Sequence, residues 1–518
     1  MIKRVRGFVK SMFPAEESLR LKDGDGSSEK DKETSDDVMI KSETRFELKK
    51  RVGLIAGISL IIGNMIGSGI FASPRSVARN TKSVGLSLVV WSGCGIIAIF
   101  GALCYIELGL MVPKSGGEKA YLGAGFGKMA GFLYAWVTIV VLKPSAISAI
   151  TYTCGQYLVE AFHRGCGKSS ENVLMVKLIA SFAIGIICFI NCASVKWATR
   201  IQVIFTAAKL AAIALLIITG LVRLGQGYNQ NFKNAFEGTT TSISDIGYAF
   251  YGGLWAYDGW NNLNYVTEEL KNPLRDLPLA IIIGIPLVTG CYVLVNIAYL
   301  TVLTQAQIST SGAVAVTLAN QLYGVMAWVM PVFVACSTFG AANGSAFTGG
   351  RLVYVSAREG HMPKMLALIH RRRHTPLPAL VFTCIIAWIM LIPDSSNFDT
   401  LINYFSFAAW TFYGATVAAL LWLRFSKPDL ERPYKVFIGC PVIVLLASVY
   451  LVIAPFHDYP LESFYCLLFI LMGIPVYFIF VKWKILPKWF LNFIDAVTYK
   501  VEALTDSAFT EPDASHDE

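Results

Sequence analysis

Residues 250–261 read Phe-Tyr-Gly-Gly-Leu-Trp-Ala-Tyr-Asp-Gly-Trp-Asn, and they place one carboxylate, Asp258, inside an otherwise apolar segment. A charged side chain at the centre of a bilayer costs about 2.5 to 3.5 kcal/mol, so an acid within a membrane span indicates a functional site. The same stretch contains Gly252, Gly253 and Gly259. Glycines inside an apolar span favour a helix that is interrupted at membrane depth.

The composition is that of a membrane protein. Of the 518 residues, 55% are hydrophobic and 15% are charged, whereas soluble domains carry about 25% charged residues. Apolar runs of about 20 residues, the length that crosses a bilayer as a helix, recur along the chain. We predict twelve transmembrane helices, at 52–73, 85–112, 129–159, 173–193, 201–223, 246–267, 277–302, 325–349, 376–392, 400–424, 436–455 and 461–481.

The same pattern predicts three regions. Residues 1–48 form a polar cytosolic tail that cannot bury enough apolar surface to fold alone, residues 49–485 form the twelve-helix membrane domain, and residues 486–518 form a partly amphipathic cytosolic tail. The net charge of +9 comes from Lys and Arg that lie mostly in short loops. Their bias toward alternate loops places both termini in the cytosol and reports orientation instead of nucleic-acid binding.

A second interruption lies in the first predicted span, which contains Gly63-Asn64-Met65-Ile66-Gly67-Ser68-Gly69. A broken helix presents backbone N–H groups at the start of its second half, where they suit an anionic group, and leaves carbonyls free on the other half. Such glycines can also serve as a packing notch for a neighbouring helix. Interruptions in the first and sixth spans, at corresponding positions of two halves, are typical of the midplane site of an inverted-repeat transporter.

Five stretches carry a resemblance to a known family. They are 66–71 (Ile-Gly-Ser-Gly-Ile-Phe), 113–118 (Pro-Lys-Ser-Gly-Gly-Glu), 255–261 (Trp-Ala-Tyr-Asp-Gly-Trp-Asn), 264–270 (Asn-Tyr-Val-Thr-Glu-Glu-Leu) and 340–344 (Gly-Ala-Ala-Asn-Gly). In this order they resemble the amino-acid/polyamine/organocation superfamily, specifically the light chains of the heteromeric amino acid transporters, over about residues 45–485. Residues 255–261 are most similar to the b(0,+)-type members, which exchange cationic amino acids, neutral amino acids and cystine.

The resemblance implies an all-α fold of two inverted five-helix repeats, with helices 1 and 6 broken, plus two extra helices. It also implies that backbone groups at the two breaks hold the amino and carboxylate groups of the substrate, and that Trp255 is the gate whose indole covers it. The substrate-binding positions carried over are Ile66, Gly67, Ser68, Gly69, Trp255, Ala256, Asp258 and Asn261.

Asp258 follows Trp255 by three residues, so on a helix that re-forms there its carboxylate faces roughly the same side as the gate. An acid within about 4 to 6 Å is what a lysine or arginine substrate needs, and Asn261 is placed to hydrogen-bond the same head group. A structural ion pair with Lys143 or Lys209, both well inside spans, is the alternative.

Lys209 is also costly within a membrane and needs carbonyls or an acid as partners. In related sodium-coupled carriers the fifth helix helps to build a cation site. The resemblance implies that the Lys209 ammonium replaces that ion, which predicts sodium-independent transport. A lysine that snorkels toward the interface is the alternative.

Cys166 is the cysteine that stands apart from the apolar spans, in a polar loop that the charge pattern places outside the cell. An exposed thiol in an oxidising compartment favours an intermolecular disulfide. Its position matches the family's cysteine that joins a glycosylated single-span heavy chain. A free thiol or a pair with Cys154 is the alternative.

The sequence therefore predicts an obligatory exchanger of basic and neutral amino acids, with cystine among its substrates, in the plasma membrane. A neutral-only or sodium-assisted transporter of the same group, or an amino acid receptor on the same fold, are the rival interpretations. The six histidines include no His-x-x-His pair, and no nucleophile and base set is recognisable. No enzyme activity, cofactor or metal is expected.

Overall fold

The computed structural model of this chain describes residues 53–112, 116–162, 170–458, 460–483 and 487–509. The predicted amino-terminal tail at 1–48 and Cys166 lie outside these residues. The described part is helical, with one short two-stranded sheet.

The amino-terminal half contains nine α-helices, joined or extended by short 3-10 and π-helical turns, in the described residues. They are α1 (Leu54–Met65), α2 (Gly69–Thr81), α3 (Val84–Met111), α4 (Glu118–Phe126), α5 (Lys128–Val137), α6 (Lys143–Phe162), α7 (Ser170–Ala193), α8 (Val195–Gly225) and α9 (Ile243–Ala256). A π-helical turn, Thr138–Leu142, joins α5 to α6, and 3-10 turns lie at Gln230–Phe232 and Asn262–Glu269.

The carboxyl-terminal half continues in the same way. Its α-helices are α10 (Pro273–Val302), α11 (Gln305–Thr310), α12 (Val314–Leu322), α13 (Val329–Arg358), α14 (Leu377–Leu391), α15 (Phe398–Ser426), α16 (Gly439–Ile453), α17 (Pro455–Asp458), α18 (Pro460–Val476) and α19 (Lys488–Thr505). Gly324–Trp328 and Lys364–Ala367 are 3-10 turns, and Tyr477–Lys482 is a π-helical turn. The strands are β1 (Leu368–His370) and β2 (Ser507–Phe509).

By length and hydropathy, nine helices of the described residues are able to cross a membrane, and the bent pair of α1 and α2 makes ten. The other two predicted spans correspond to shorter elements. The span at 246–267 is the 14-residue α9 with its 3-10 continuation, and the span at 376–392 is the 15-residue α14. The chain is thus a multi-pass membrane protein, and the total of twelve spans and the inverted repeat stay predictions.

The first span bends where its glycines are. Helix α1 ends at Met65, Ile66 takes an extended conformation with ψ of 92°, and α2 resumes at Gly69. The axes of the two helices differ by 47°. The break leaves the carbonyls at the end of α1 and the first amides of α2 without helical partners.

The sixth predicted span breaks after Ala256. Turns occupy 257–261, with Gly259 at φ of 101°, and a 3-10 helix follows from Asn262. The interruption that the glycines of this span predict thus lies after Ala256 and beside Gly259, whereas Gly252 and Gly253 stay within α9. The α-helix on which Asp258 is expected to face the same side as Trp255 does not re-form there. A positive φ at Gly259 ends regular α-helical geometry, which needs negative φ at each residue.

The two breaks contact each other directly. A Cβ atom added to Gly69 would lie 2.3 Å from Cα and 2.7 Å from Cβ of Ala256. No real Cβ fits at such distances, so the missing side chain of Gly69 sets how closely the two interrupted helices approach. This contact fixes the walls of the cavity described below.

The carboxyl-terminal segment packs back onto the bundle. Helix α19 is followed by β2, which pairs antiparallel with β1 in the register of Leu368 with Phe509 and His370 with Ser507. This strand pairing has no counterpart in the sequence prediction, which treats the tail as partly amphipathic.

Substitution Gly69→Ala is expected to lower the yield of folded protein and its melting temperature. The new methyl group meets Ala256 backbone, which overpacks the contact at a cost of about 1 to 3 kcal/mol. Thermal unfolding in detergent, followed by size-exclusion chromatography, measures the loss.

The matched control for this substitution is Gly63→Ala in the same broken span. A Cβ at Gly63 meets no atom within 4 Å, and alanine favours a helix interior over glycine. A Gly69→Ala protein that melts at the same temperature as Gly63→Ala contradicts the close contact.

Candidate functional site

A cavity lies where the two broken helices meet. Its volume is about 100 Å³, which is below the range of sites for drug-sized ligands and suits a small metabolite. Longer ligands require side chains around the cavity to move. The lining residues that matter below are Gly67, Ser68, Gly69, Tyr134, Thr138, Leu142, Lys143, Trp255, Asp258, Asn261, Tyr265, Phe405 and Tyr413.

The backbone at the first break supplies donors to this cavity. Gly67, Ser68 and Gly69 line it, and no hydrogen bond of the described residues uses their amide N–H groups. The 13-residue α2 begins at Gly69, so the positive end of its dipole faces the same space. Free amides at a helix N-terminus bind anionic groups such as a carboxylate.

Lys209 binds the carbonyl side of the same break. Its Nζ donates to the carbonyl oxygens of Gly63 at 2.5 Å and Ile66 at 2.7 Å, and the residue is only 1% exposed. Backbone carbonyls thus hold the buried ammonium, as an intramembrane lysine requires. Lys209 does not snorkel, and within the described residues it forms no ion pair with Asp258.

Tyr292 on α10 links the two breaks to each other. Its hydroxyl lies 2.6 Å from the Met65 carbonyl oxygen and 2.9 Å from that of Ala256. The ring is fully buried and packs edge-on against Trp91 and Tyr257. A single hydroxyl proton is shared by two carbonyls that the breaks left without helical partners.

Asp258 lies in the cavity wall beside Tyr413. The Tyr413 hydroxyl donates to Asp258 Oδ1 at 2.9 Å. Lys143 lines the same cavity, but no Lys or Arg nitrogen of the described residues lies within 4.0 Å of this carboxylate. The alternative of a closed ion pair with either lysine therefore does not describe this structure.

Asn261 has a different partner from the one expected. Its side-chain amide donates to the buried carboxyl group of Glu118, which also accepts from the hydroxyls of Tyr134 at 3.1 Å and Tyr265 at 2.6 Å. Asn261, Tyr134 and Tyr265 all line the cavity. Glu118 thus accepts hydrogen bonds from three polar residues of the cavity wall. The Asn261 side-chain amide donates to Glu118 and not to a substrate head group.

Trp255 lies against aromatic side chains of α15. Its indole packs edge-on onto Phe405, with ring centroids 4.7 Å apart, and onto Phe398 at 6.4 Å. The residue lines the cavity and is 7% exposed. An aromatic cluster at the cavity wall is a suitable element to cover or uncover a ligand by a change of rotamer.

The structure brings six of the sequence-predicted binding residues to one cavity: Gly67, Ser68, Gly69, Trp255, Asp258 and Asn261. Ile66 and Ala256 lie outside its lining, and their carbonyls bind Lys209 and Tyr292 instead. Cys166 is outside the described residues.

Several residues of the site were missed by the sequence analysis. They are Tyr134, Tyr265, Tyr292, Phe405, Tyr413 and Glu118. Glu118 ends one of the motifs that carry the family resemblance, which was a usable signal. Tyr265 likewise lies within one of those motifs, at 264–270. The other aromatic residues lie in ordinary apolar spans and have no local signature.

Two interrupted helices that meet at a small polar cavity within a bundle of membrane-spanning helices are typical of a transporter. Comparison with known proteins agrees with this class, because the profile of the family described as amino acid permease matches residues 52–480. The chain belongs to the amino acid permease family and is an amino acid transporter.

Its curated relatives include transporters of two named types. The chain is 52% identical over 438 residues to b(0,+)-type amino acid transporter 1 of Mus musculus, which covers 84% of this chain and 89% of the relative. It is 48% identical over 491 residues to the Homo sapiens protein of that name, covering 95% and 99%. It is 47% identical over 454 residues to large neutral amino acids transporter small subunit 2 of Mus musculus, covering 87% and 85%.

Substitution Tyr292→Phe is expected to lower both the transport rate and the melting temperature. Phenylalanine keeps the ring contacts but leaves two buried carbonyls without a donor, at a cost of about 1 to 3 kcal/mol. Amino acid uptake in proteoliposomes and thermal unfolding measure the two effects.

Tyr299→Phe is the matched control, since it lies on the same helix and its buried hydroxyl has no hydrogen-bond partner among the described residues. It is expected to leave both quantities unchanged. Equal behaviour of the two variants contradicts a link between the breaks through Tyr292.

Proposed function

We propose that this chain performs sodium-independent exchange of cationic and neutral L-amino acids, cystine included, across the plasma membrane by alternating access. The observation that carries the proposal is the placement of Asp258 in the same cavity as the free amides at the start of α2. Main-chain recognition and side-chain recognition are then provided within one small space.

The first part of the proposal concerns the groups that all amino acids share. The amides of Gly67, Ser68 and Gly69 suit the substrate carboxylate, since they are unpaired within the described residues and lie at the positive end of α2. Asn64 near the end of α1 also lines the cavity, and its carbonyl oxygen, which no hydrogen bond of the described residues uses, suits the α-ammonium. Recognition through backbone groups does not depend on the substrate side chain, so a broad substrate range follows.

The second part concerns the charged side chain of a basic substrate. Tyr413 donates to one oxygen of Asp258, and Asp258 lines the cavity. A carboxylate in the cavity wall provides the opposite charge that a guanidinium or ammonium group needs. The b(0,+)-type relatives at 48–52% identity support this assignment.

Sodium independence is proposed from the position of Lys209. Its ammonium already lies on the Gly63 and Ile66 carbonyls, at hydrogen-bonding distances of 2.5 and 2.7 Å. Free carbonyls at a broken helix are the groups that coordinate a transported cation in sodium-coupled carriers. A tethered cation at these carbonyls leaves no vacancy for a mobile one.

Alternating access requires a part that uncovers the cavity, and we assign that role to Trp255. Its edge-on packing against Phe405 and Phe398 connects α9 to α15, so displacement of α9 against α15 moves the indole relative to the cavity. The gate is thus an aromatic contact between two elements and not a single side chain.

The partner proposed is a glycosylated single-span heavy chain, joined through a disulfide at Cys166. The position of Cys166 after α6 and the resemblance to light chains support it. One relative is named as a small subunit. The proposal also places both termini in the cytosol, as the distribution of Lys and Arg predicts.

Transport of neutral amino acids alone is the second candidate, since the chain is 47% identical to a large neutral amino acids transporter small subunit. Asp258 in the cavity wall favours the broader range. An amino acid receptor on the same fold has no specific observation in its favour.

Uptake of labelled arginine, leucine and cystine into cells that express this chain with a heavy chain tests the proposal. All three substrates are expected to enter, at rates that do not change when sodium is replaced and that rise with internal amino acid. Uptake of leucine alone favours the neutral transporter, and uptake that ignores internal substrate contradicts exchange.

Substitution Asp258→Asn is expected to lower arginine uptake about tenfold while leucine uptake stays within about threefold. The asparagine keeps the size of the side chain and can still accept from Tyr413, but it lacks the charge that pairs with the substrate. Initial rates at several substrate concentrations give the KM for each amino acid.

Asp495→Asn is the matched control, because Asp495 is an exposed acid on α19 whose side chain is 64% exposed. It is expected to transport both substrates as the unmodified chain does. Full arginine uptake by Asp258→Asn removes this carboxylate from substrate recognition.

Substitution Cys166→Ser is expected to abolish a high-mass band that disappears on reduction. Non-reducing gels of cells expressing both subunits measure it, with Cys291→Ser on α10 as the control. Persistence of the band in Cys166→Ser shows that another cysteine forms the link.

A further inference from the structure

The third predicted span contains a π-helical turn that is followed directly by a lysine. Thr138–Leu142 is π-helical, Lys143 begins α6, and Pro144 follows. Proline has no N–H to donate, so a regular hydrogen-bond ladder is lost here. π-helical turns within α-helices occur frequently at functional sites because they redirect side chains. Here Thr138, Leu142 and Lys143 all line the cavity.

The stem of Lys143 is held in place by the opposite helix. A Cβ added to Gly349 on α13 would lie 3.4 Å from Lys143 Cβ and 3.6 Å from its Cγ. The glycine thus makes room for the aliphatic part of the lysine. Packing fixes the stem and leaves the end of the side chain as its movable part.

The ammonium group of Lys143 has no close counter-ion. No carboxylate of the described residues lies within 4.0 Å of it, although Asp258 lines the same cavity and the Glu118 carboxyl group binds wall residues of that cavity from behind. An unpaired cation within a span is expensive. A cation that has one acid in the wall of its cavity and a second acid behind that wall, and is paired with neither within 4.0 Å, is suited to move from one to the other.

This part of the site contains two acidic residues, Asp258 and Glu118, and one basic residue, Lys143. A neutral substrate side chain leaves Asp258 in need of a cation, whereas a basic substrate supplies one. The same site therefore faces two different electrostatic demands if it accepts both classes.

We propose that Lys143 is a specificity-determining residue that acts as a tethered counter-ion for Asp258. When the substrate side chain is neutral, the Lys143 ammonium approaches Asp258 and neutralises it. When the substrate is cationic, its own charge takes that place and Lys143 turns toward Glu118. This inference rests on the proposed transport of both classes and adds the residue that permits it.

Glu118 is suited to the second position. It is fully buried, and its carboxyl group accepts hydrogen bonds from Asn261, Tyr134 and Tyr265. These three donors fix the carboxyl group behind the wall, so it stays in place whichever substrate is bound. Glu118 is in this view a positioning residue for Lys143.

Substitution Lys143→Met tests the proposal by removing the charge and keeping an unbranched stem. The KM for leucine is expected to rise about tenfold, which corresponds to 1.4 kcal/mol, because Asp258 is left unneutralised beside an apolar side chain. The KM for arginine is expected to stay the same or fall. Lys143→Arg keeps a cation and is expected to preserve the ratio of the two KM values within about threefold.

The double variant Lys143→Met with Asp258→Asn makes the assignment specific. It removes both charges, so the KM for leucine is expected to return toward that of the unmodified chain. Equal KM changes for leucine and arginine in Lys143→Met, or no recovery in the double variant, overturn the proposal. Surface labelling confirms that each variant reaches the membrane, and Lys143→Gln replaces Lys143→Met if the latter does not.

The experiment distinguishes a failure of the proposed substrate range from a failure of the proposed role of Lys143. Absence of arginine uptake by the unmodified chain defeats the proposed substrate range. The leucine measurements alone still decide whether Lys143 neutralises Asp258, since they compare Lys143→Met with the double variant and do not depend on a cationic substrate.

Discussion

The close contact between the two helix breaks is the constraint on which the rest of the structure depends. Gly69 touches Ala256 without an intervening side chain, and the Tyr292 hydroxyl lies between carbonyls of the two broken helices. A break in a membrane helix is tolerated only where its freed backbone groups find partners. Here each break supplies part of the environment that makes the other possible, and the cavity is the space that remains between them.

Polar groups around this cavity are divided by role. Lys209 and Tyr292 bind backbone carbonyls and stabilise the breaks, whereas Asp258 and Lys143 face the cavity and differ in charge. In the proposed mechanism the first pair is needed whatever is bound, and the second pair responds to the ligand. On that proposal backbone recognition stays constant, and side-chain recognition is adjusted with few residues.

The sequence predicted those parts of the site that have a local cause. Glycines within an apolar run predict the break between α1 and α2, and an acid in such a run predicts a functional position at Asp258. Tyr413 could not be found in this way, because its contact with Asp258 joins residues 155 positions apart. Glycines within the sixth span likewise predict an interruption there, but not that α9 runs through Gly252 and Gly253 and ends at Ala256, since a glycine permits positive φ without requiring it. The positions of the apolar helices could be predicted from the sequence. The total of twelve spans stays a prediction, because α9 and α14 are shorter than a bilayer-spanning helix needs to be.

The pairing of β1 with β2 has a consequence for biosynthesis. Strand β1 follows α13, whereas β2 comprises residues 507–509 and follows α19. During synthesis the edge of β1 is exposed from the time it leaves the ribosome until some 140 further residues have been added. The membrane bundle can insert in order, span after span, but this small sheet forms only after the last predicted span, at 461–481, and α19 have been made. Closure of the sheet thus follows insertion of the bundle.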